Sequence, residues 1–169
     1  SAGLLAEQEV DLLEFLEYSH NVRNLQSLIK TKSGLKIRLL QLEGKKWVVT
    51  NSYSKYAKII LKKCRLLTNF EKVLAIEDMW GLGALRPKPS PLLWEKIKKR
   101  FKFSKVTYVL VDDSLANLRS AKLAGFSTVW VNCFRNETQP RKSYRKPIFV
   151  DYCVNHISQL SGIKRKLII

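Results

Sequence analysis

Residues 106–132, VTYVLVDDSLANLRSAKLAGFSTVWVN, decide the fold. The β-branched and aromatic run 106–111 is the strongest strand signal in the chain, and it stops on two adjacent carboxylates, Asp112 and Asp113. Ser114 is a helix N-cap residue, 114–124 carry Leu and Ala at helical spacing, and Gly125 supplies the stop. A second apolar run, 127–131, follows at once. Strand, helix and strand in such close succession predict a right-handed crossover between parallel neighbours. In a parallel sheet covered by helices, ligands gather beyond the carboxyl ends of the strands. An acidic pair at that place, in a chain of formal net charge +17, is either a cation site or the remains of one.

Outward from this unit the alternation continues. Residues 46–50 (KWVVT) read as a short strand, 54–64 (SKYAKIILKKC) as a helix and 73–76 as a strand. PSPLLWEKIKKRF, 89–101, opens a helix with Ser90 as N-cap and Pro91 at the first helical position. Residues 148–150 read as a last short strand, ahead of a helix near 155–160. On the N-terminal side, Leu35, Ile37, Leu39, Leu40 and Leu42 are dense enough for a buried helix ending at Gly44. Residues 4–16 have the pattern of an amphipathic helix, and 21–29 are expected to begin a second short helix. The expected class is α/β, with a mainly parallel sheet covered on both faces. Residues 1–32 form a helical appendage in this reading, 33–162 the core and 163–169 a basic tail, with 132–146 as a surface loop.

A chain of 169 residues, 46% of them apolar, is long enough for one packed domain. No apolar run reaches the roughly 18 residues of a membrane span, so no membrane partner is expected. The start SAGLLAEQEV lacks the basic residues of a secretory signal. Cys64, Cys133 and Cys153 are widely spaced with no CxxC, which predicts reduced thiols in an intracellular compartment rather than a disulfide or a zinc site. Five acids and no Lys or Arg fall in the first twenty residues, so all 31 basic residues face the remaining nine acids. That imbalance and a pI near 10.0 predict a polyanion as partner.

Three places combine polar groups suited to phosphate chemistry. The strand KWVVT ends in Thr50 and Asn51, Lys88 stands between two prolines just ahead of a helix N-terminus, and Asp112 and Asp113 close the central strand. A hydroxyl, backbone N–H groups, an ammonium and two carboxylates able to hold a hard cation would together make a phosphate and Mg²⁺ site. Each has a plainer reading as a turn, a solvated lysine or a helix cap. Their order and spacing together are more specific than any one of them.

TNSYSKYAKIIL (50–61), RPKPSPLLWEKI (86–97) and VLVDDSLANLRSAKLAGFSTVWVN (109–132) resemble the second, third and fourth motifs of the haloacid dehalogenase-like hydrolases. The nearest likeness is to the branch containing pyrimidine 5′-nucleotidases and related small phosphatases. It covers about 35–160, with 1–32 resembling the tail of that branch's helical cap. The resemblance implies a Rossmannoid three-layer sandwich. It further implies that Thr50 and Asn51 hold the transferring phosphoryl group, that Lys88 neutralises charge, and that Asp112 and Asp113 help to hold Mg²⁺.

One family motif has no counterpart here. The first, DxDxT, carries the nucleophile and the general acid at the end of a central strand. Aspartate occurs at 11, 78, 112, 113 and 151, so no D-x-D is present, and Asp11 lies in a helical pattern. Covalent phosphoryl transfer needs an aligned carboxylate. Removal of that strand would leave its neighbours roughly 10 Å apart, with unpaired buried backbone groups costing about 1–3 kcal/mol each. The expectation is therefore that the central strand is missing from this chain and that a second polypeptide, an upstream segment or the C-terminal tail completes the sheet.

Basic clusters occur at LKKCR, with Lys62, Lys63 and Arg65, and at KIKKRFKFSK, with Lys98, Lys99, Arg100 and Lys102. Others are RKSYRK, with Arg141, Lys142, Arg145 and Lys146, and KRK, Lys164, Arg165 and Lys166. Such tracts contact nucleic-acid phosphates without reading sequence. The leading expectation is a non-catalytic relative of these hydrolases, with Thr50, Asn51 and Lys88 vestigial or completed by a partner. It would serve as a structural, RNA-contacting part of a ribonucleoprotein, a mitochondrial ribosome in the matrix being the natural candidate. The alternative is a Mg²⁺-dependent phosphatase or 5′-nucleotidase whose nucleophile lies on another segment. A third is a scaffold that docks through its acidic N-terminal helix.

Overall fold

A computed structural model describes residues 29, 33–81, 83–100, 106–132 and 145–162. The chain divides into two compact units, one of Ser1–Lys36 and Lys45–Met79 and the other of Ile37–Gly44 and Trp80–Ile169, with the division falling inside helix α1 (Leu35–Leu40).

In the first unit, strand β1 (Trp47–Val49) leads through helix α2 (Ser54–Lys63) to strand β2 (Lys72–Leu74). The two strands are parallel, with Trp47 opposite Lys72 and Val49 opposite Leu74. Thr50 N–H donates to the Leu74 carbonyl at 2.9 Å and carries the ladder one residue further. Leu74 at the end of β2 and Ala75, Ile76 and Met79 just after it are buried. Two acids serve backbone groups here: Glu77 accepts from the first amide of α2 (Ser54 N–H, 3.1 Å), and Asp78 accepts from Ala75 N–H at 3.1 Å. A carboxylate at a helix N-terminus satisfies an orphan donor and opposes the positive end of the dipole.

The second unit begins with an antiparallel hairpin, β3 (Trp80–Gly81) and β4 (Ala84–Leu85), then helix α3 (Pro91–Arg100). Strand β5 (Val109–Asp112), helix α4 (Leu115–Leu123) and strand β6 (Ser127–Val131) form the crossover expected for 106–132, and strand β7 (Tyr152–Val154) adds to the far side of β6. The order is β5-β6-β7, all parallel, with Asp112 opposite Trp130. Gly125 takes φ +82°, the left-handed value that ends α4 and turns the chain into β6. The burial pattern of β6, intermediate then four buried residues, is that of a strand covered on both faces. Helix α4 packs against it, with Leu118 and Ala121 buried, and α3, whose Leu93, Trp94 and Ile97 are also buried, packs on α4. The Trp94 ring meets Phe126 at 5.5 Å between centroids, and Phe126 meets Tyr108 at 5.2 Å. The described chain is thus mixed α/β with mainly parallel sheets, as the alternation of elements predicted. No helix among the described residues is long and apolar enough to cross a membrane.

Asp151 ties three elements of this unit together. Its carboxylate accepts from Lys122 Nζ of α4 at 2.6 and 2.8 Å and from Thr128 N–H of β6 at 2.8 Å, just ahead of β7. Burial on its own would raise the carboxyl pKa, but the Lys122 hydrogen bond, the Thr128 N–H and the lysine charge outweigh it and hold the group below its ordinary 3.8. A carboxylate whose pKa is lowered by folding contributes stability above its unfolded pKa and loses it as pH falls through the folded value. Asp151→Asn is therefore expected to cost about 1–2 kcal/mol at neutral pH. The difference from wild type should shrink as pH drops below about 3.8, read from urea midpoints at constant m-value across a pH series.

Several expectations require correction. Helix α1 stops at Leu40 and is not buried: Leu39 is covered, whereas Ile37 and Leu40 are 63% and 59% exposed. Residues 148–150 form a turn, closed by Val150 N–H to the Pro147 carbonyl, and Ile148 is 98% exposed. The strand instead begins at Tyr152, because Asp151 anchors the chain to β6 at Thr128 and sets the register there. The 155–160 segment is a 3₁₀ turn (Ile157–Gln159), closed by a capping box in which Ser158 N–H donates to His156 Nδ1 and Gln159 accepts from His156 N–H. The hairpin β3–β4 was not expected, since two-residue strands bearing Gly81 leave no period to detect. The helices expected at 4–16 and 21–29 and the tail 163–169 lie outside the described residues, as does most of the 132–146 loop.

Candidate active site

The pleat of β5 and the start of α4 bring a set of polar groups together at the carboxyl end of the strand. Asp112 is the last residue of β5 and its side chain is only 7% exposed. One oxygen, Oδ2, accepts from Lys88 Nζ at 2.9 Å, and that ammonium is itself 14% exposed. The other, Oδ1, accepts from Ser114 N–H at 2.9 Å and from Asn117 Nδ2 at 3.0 Å. Ser114 caps α4 by accepting from Asn117 N–H at 3.5 Å, so one serine and one asparagine both start the helix and hold the carboxylate. Asp113 follows with the opposite orientation: its side chain is exposed, while its carbonyl accepts from Trp130 Nε1 of β6 at 3.1 Å. Trp130 thereby fixes the backbone on which the exposed carboxylate stands.

Lys88 reaches the site from the segment between β4 and α3, where Ser90 N–H donates to the Pro87 carbonyl at 2.8 Å and closes a turn. Arg86, two residues earlier, has a buried Nε with no hydrogen-bond acceptor. Lys88, Asp112 and Asp113 of the expected residues thus share one unit and one strand end. Thr50 and Asn51 belong to the other unit, at the carboxyl end of β1, where Thr50 Oγ1 accepts from Ser52 N–H at 3.1 Å and Asn51 is exposed. Asn117 and Trp130 were not anticipated. The Asn117 signal was available in D-D-S-x-x-N, which puts an amide one helical turn beyond the cap. That of Trp130 was not, because its role arises from the register of β5 against β6.

The donor set suits a small hard cation. Two adjacent carboxylates are present, and among the described residues no group of three or more His, Cys, Asp or Glu is arranged around a metal position. Mg²⁺ takes one or two carboxylates and completes its shell with water and substrate phosphate, so a pair is sufficient. Asp112 has three donors on two oxygens and retains acceptor capacity, and Asp113 is directed to solvent.

The basic clusters are distributed unevenly. Lys62, Lys63 and Arg65 are exposed at the end of α2. On α3, Lys98 pairs with Glu95 at 3.0 Å, while Lys99 and Arg100 are exposed. Arg145 and Lys146 are exposed, Lys146 donating to the Asp151 carbonyl at 2.5 Å. Lys102, Arg141, Lys142, Lys164, Arg165 and Lys166 lie outside the described residues. Cys64 and Cys153 are free thiols, and Cys133 is also outside.

Comparison with known proteins places this geometry. The haloacid dehalogenase-like hydrolase family matches residues 4–131. Similar solved structures include the HAD-hydrolase YfnB from Bacillus subtilis bound to magnesium, at 21% identity and TM-score 0.58 over 75% of this chain and 50% of that one. A second is L-2-haloacid dehalogenase from Xanthobacter autotrophicus with chloropropionic acid covalently bound, at 16% identity and TM-score 0.60 over 77% and 59%. A third is a HAD phosphatase from Thermococcus onnurineus, at 22% identity and TM-score 0.56 over 94% and 66%. The chain spans 50% and 59% of the first two of these structures. No curated protein matches it in sequence. With its parallel β5-α4-β6 unit, its Lys88–Asp112 pair and a family match that covers most of its length, the chain belongs to the haloacid dehalogenase-like hydrolases.

Proposed function

We propose that this chain supplies the charge-neutralising and metal-holding part of a Mg²⁺-dependent phosphoric monoester hydrolase, whose nucleophilic carboxylate is carried on a segment outside these residues. One observation carries the reading: Lys88 and Asp112 form a buried 2.9 Å pair at the mouth of a parallel strand, with exposed Asp113 beside it. A buried ion pair is a weak source of stability, because desolvation offsets most of its attraction. Its position at the ligand end of the sheet accords with a role in binding.

Asp113 and the spare acceptor capacity of Asp112 would hold the cation, which when bound supplies positive charge for the phosphoryl oxygens. Lys88 places a fixed ammonium where a phosphate would otherwise meet the Asp112 carboxylate, and so lowers the repulsion between substrate and site. Ser114 and Asn117 hold Asp112 in one rotamer, which preorganises the site before substrate arrives. Thr50 and Asn51 retain the phosphoryl-holding role that the family implies for them.

The test is hydrolysis of p-nitrophenyl phosphate by the protein together with its upstream segment or co-purifying partner. Activity is expected to require Mg²⁺, to vanish with EDTA and to return when Mg²⁺ is restored. Asp113→Asn is expected to raise the Mg²⁺ requirement at least tenfold, in line with loss of one carboxylate ligand. Activity indifferent to chelator, or to Asp113→Asn, would exclude the proposal.

A further inference from the structure

Helix α2 ends in a group of cations that the phosphatase reading does not use. Lys58, Lys62, Lys63 and Arg65 are all exposed. Among the described residues, none supplies an ion pair or hydrogen bond to these four side chains. The three acids among the described residues of that unit are engaged elsewhere: Glu71 with Lys45, Glu77 with Ser54 N–H and Asp78 with Ala75 N–H.

Helix stability accounts for part of this arrangement. Lys62 and Lys63 in the last turn oppose the negative end of the dipole, a favourable placement. Lys58 and Lys62 stand four apart, where like charges repel. Arg65 is harder still to explain by stability. Leu66 N–H donates to the Leu61 carbonyl at 2.8 Å and Arg65 N–H to Lys62 at 2.9 Å, the two bonds of a Schellman ending. That ending needs a left-handed residue, usually glycine, and here it is arginine at φ +57°. A strained arginine at a glycine position adds a third positive charge just beyond the helix end, beside two lysines.

We infer that the exposed C-terminal end of α2, formed by Lys58, Lys62, Lys63 and Arg65, is a binding surface for the phosphodiester backbone of a nucleic acid. The class of partner follows from what the surface carries. No large apolar side chain of α2 is exposed, so the helix has nothing to insert into a bilayer interface, and no apolar anchor of the kind that dominates protein interfaces. Four exposed cations without such an anchor fit a regular polyanion contacted by charge, with no reading of bases. This inference is independent of the phosphatase proposal.

The experiment uses the whole chain and fluorescence anisotropy with a 20-base-pair RNA duplex and a DNA duplex of the same length, over 50–200 mM salt. Affinity should fall as salt rises, and the triple variant Lys58→Gln, Lys62→Gln, Lys63→Gln should flatten the log–log slope by about three while keeping a helix-compatible sequence. Arg65→Gly should weaken binding roughly fivefold, as expected for loss of one phosphate contact, yet leave the melting temperature equal or higher, since glycine relieves the left-handed strain. Retention of either duplex with these responses supports the surface. An unchanged slope in the triple variant, or binding confined to phosphatidylserine vesicles, would overturn it.

Discussion

Lys88→Met is expected to destabilise the protein by about 3–5 kcal/mol, the range for stripping one partner from a buried ion pair. The same substitution should lower phosphatase activity of the completed site by at least about a hundredfold, the scale of losing one preorganised charge at a reacting group. The cause is the burial of both groups, 14% and 7% exposed. With the ammonium gone, the Asp112 carboxylate keeps Ser114 N–H and Asn117 Nδ2 but loses the charge that offsets its own. Asp112→Asn should act from the other side and leave Lys88 without its counter-ion. The double variant Lys88→Met, Asp112→Asn should then be less destabilised than either single change, because it leaves no charge stranded. Urea denaturation of all four proteins closes the cycle, and a coupling energy below about 0.5 kcal/mol would show that the pair is not the unit described here. Activity and stability separate the two roles: the double variant should regain fold without regaining turnover.

Trp94→Ala is expected to cost about 3–5 kcal/mol, the usual range for removing a buried aromatic from a packed core. Trp94 is 1% exposed on α3, packs on Phe126 and donates its indole N–H to Ser120 Oγ of α4 at 2.9 Å. It therefore joins two helices and the approach to β6 through one side chain. Ser120→Ala isolates the polar part. It keeps the packing and removes the acceptor, so the buried N–H loses its only hydrogen bond and the change should cost about 1–3 kcal/mol. Trp94→Phe should resemble Ser120→Ala more than Trp94→Ala, because it retains most of the apolar contact and deletes the donor. Denaturant midpoints rank the three. Equal loss from Trp94→Phe and Trp94→Ala would mean that the hydrogen bond, rather than packing, holds these helices.

Much of this architecture is legible in the order of residues. Residues 127–131 form a strand with the predicted bounds, α2 and α4 start and stop within a residue or two of their predicted ends, and Ser114 and Gly125 cap α4 as their side chains require. These features depend on neighbours in the chain: apolar period, a capping oxygen, a glycine free to turn left-handed. The failures share the opposite character. Leu35, Ile37, Leu39, Leu40 and Leu42 have the density of a buried helix, yet Ile37 and Leu40 are exposed, because burial needs a facing element and density does not provide one. Ile148 has a strand-forming side chain in a turn, because the register of β7 is set by Asp151 reaching β6 and α4.

The candidate site divides along the same line. The linear order of amino acids determined that two carboxylates stand at the end of a parallel strand, that a lysine precedes a helix, and that the surface is strongly cationic. Tertiary structure decided which carboxylate is buried and which faces water, that Lys88 meets Asp112 across 24 positions of chain, that Asn117 and Trp130 brace the acidic pair, and that Arg65 stands where glycine would be at ease. The physical reason is range. Backbone preference and side-chain period act over a few residues, whereas partners, burial and the charge around a carboxylate are set by groups that the chain brings together only when it folds.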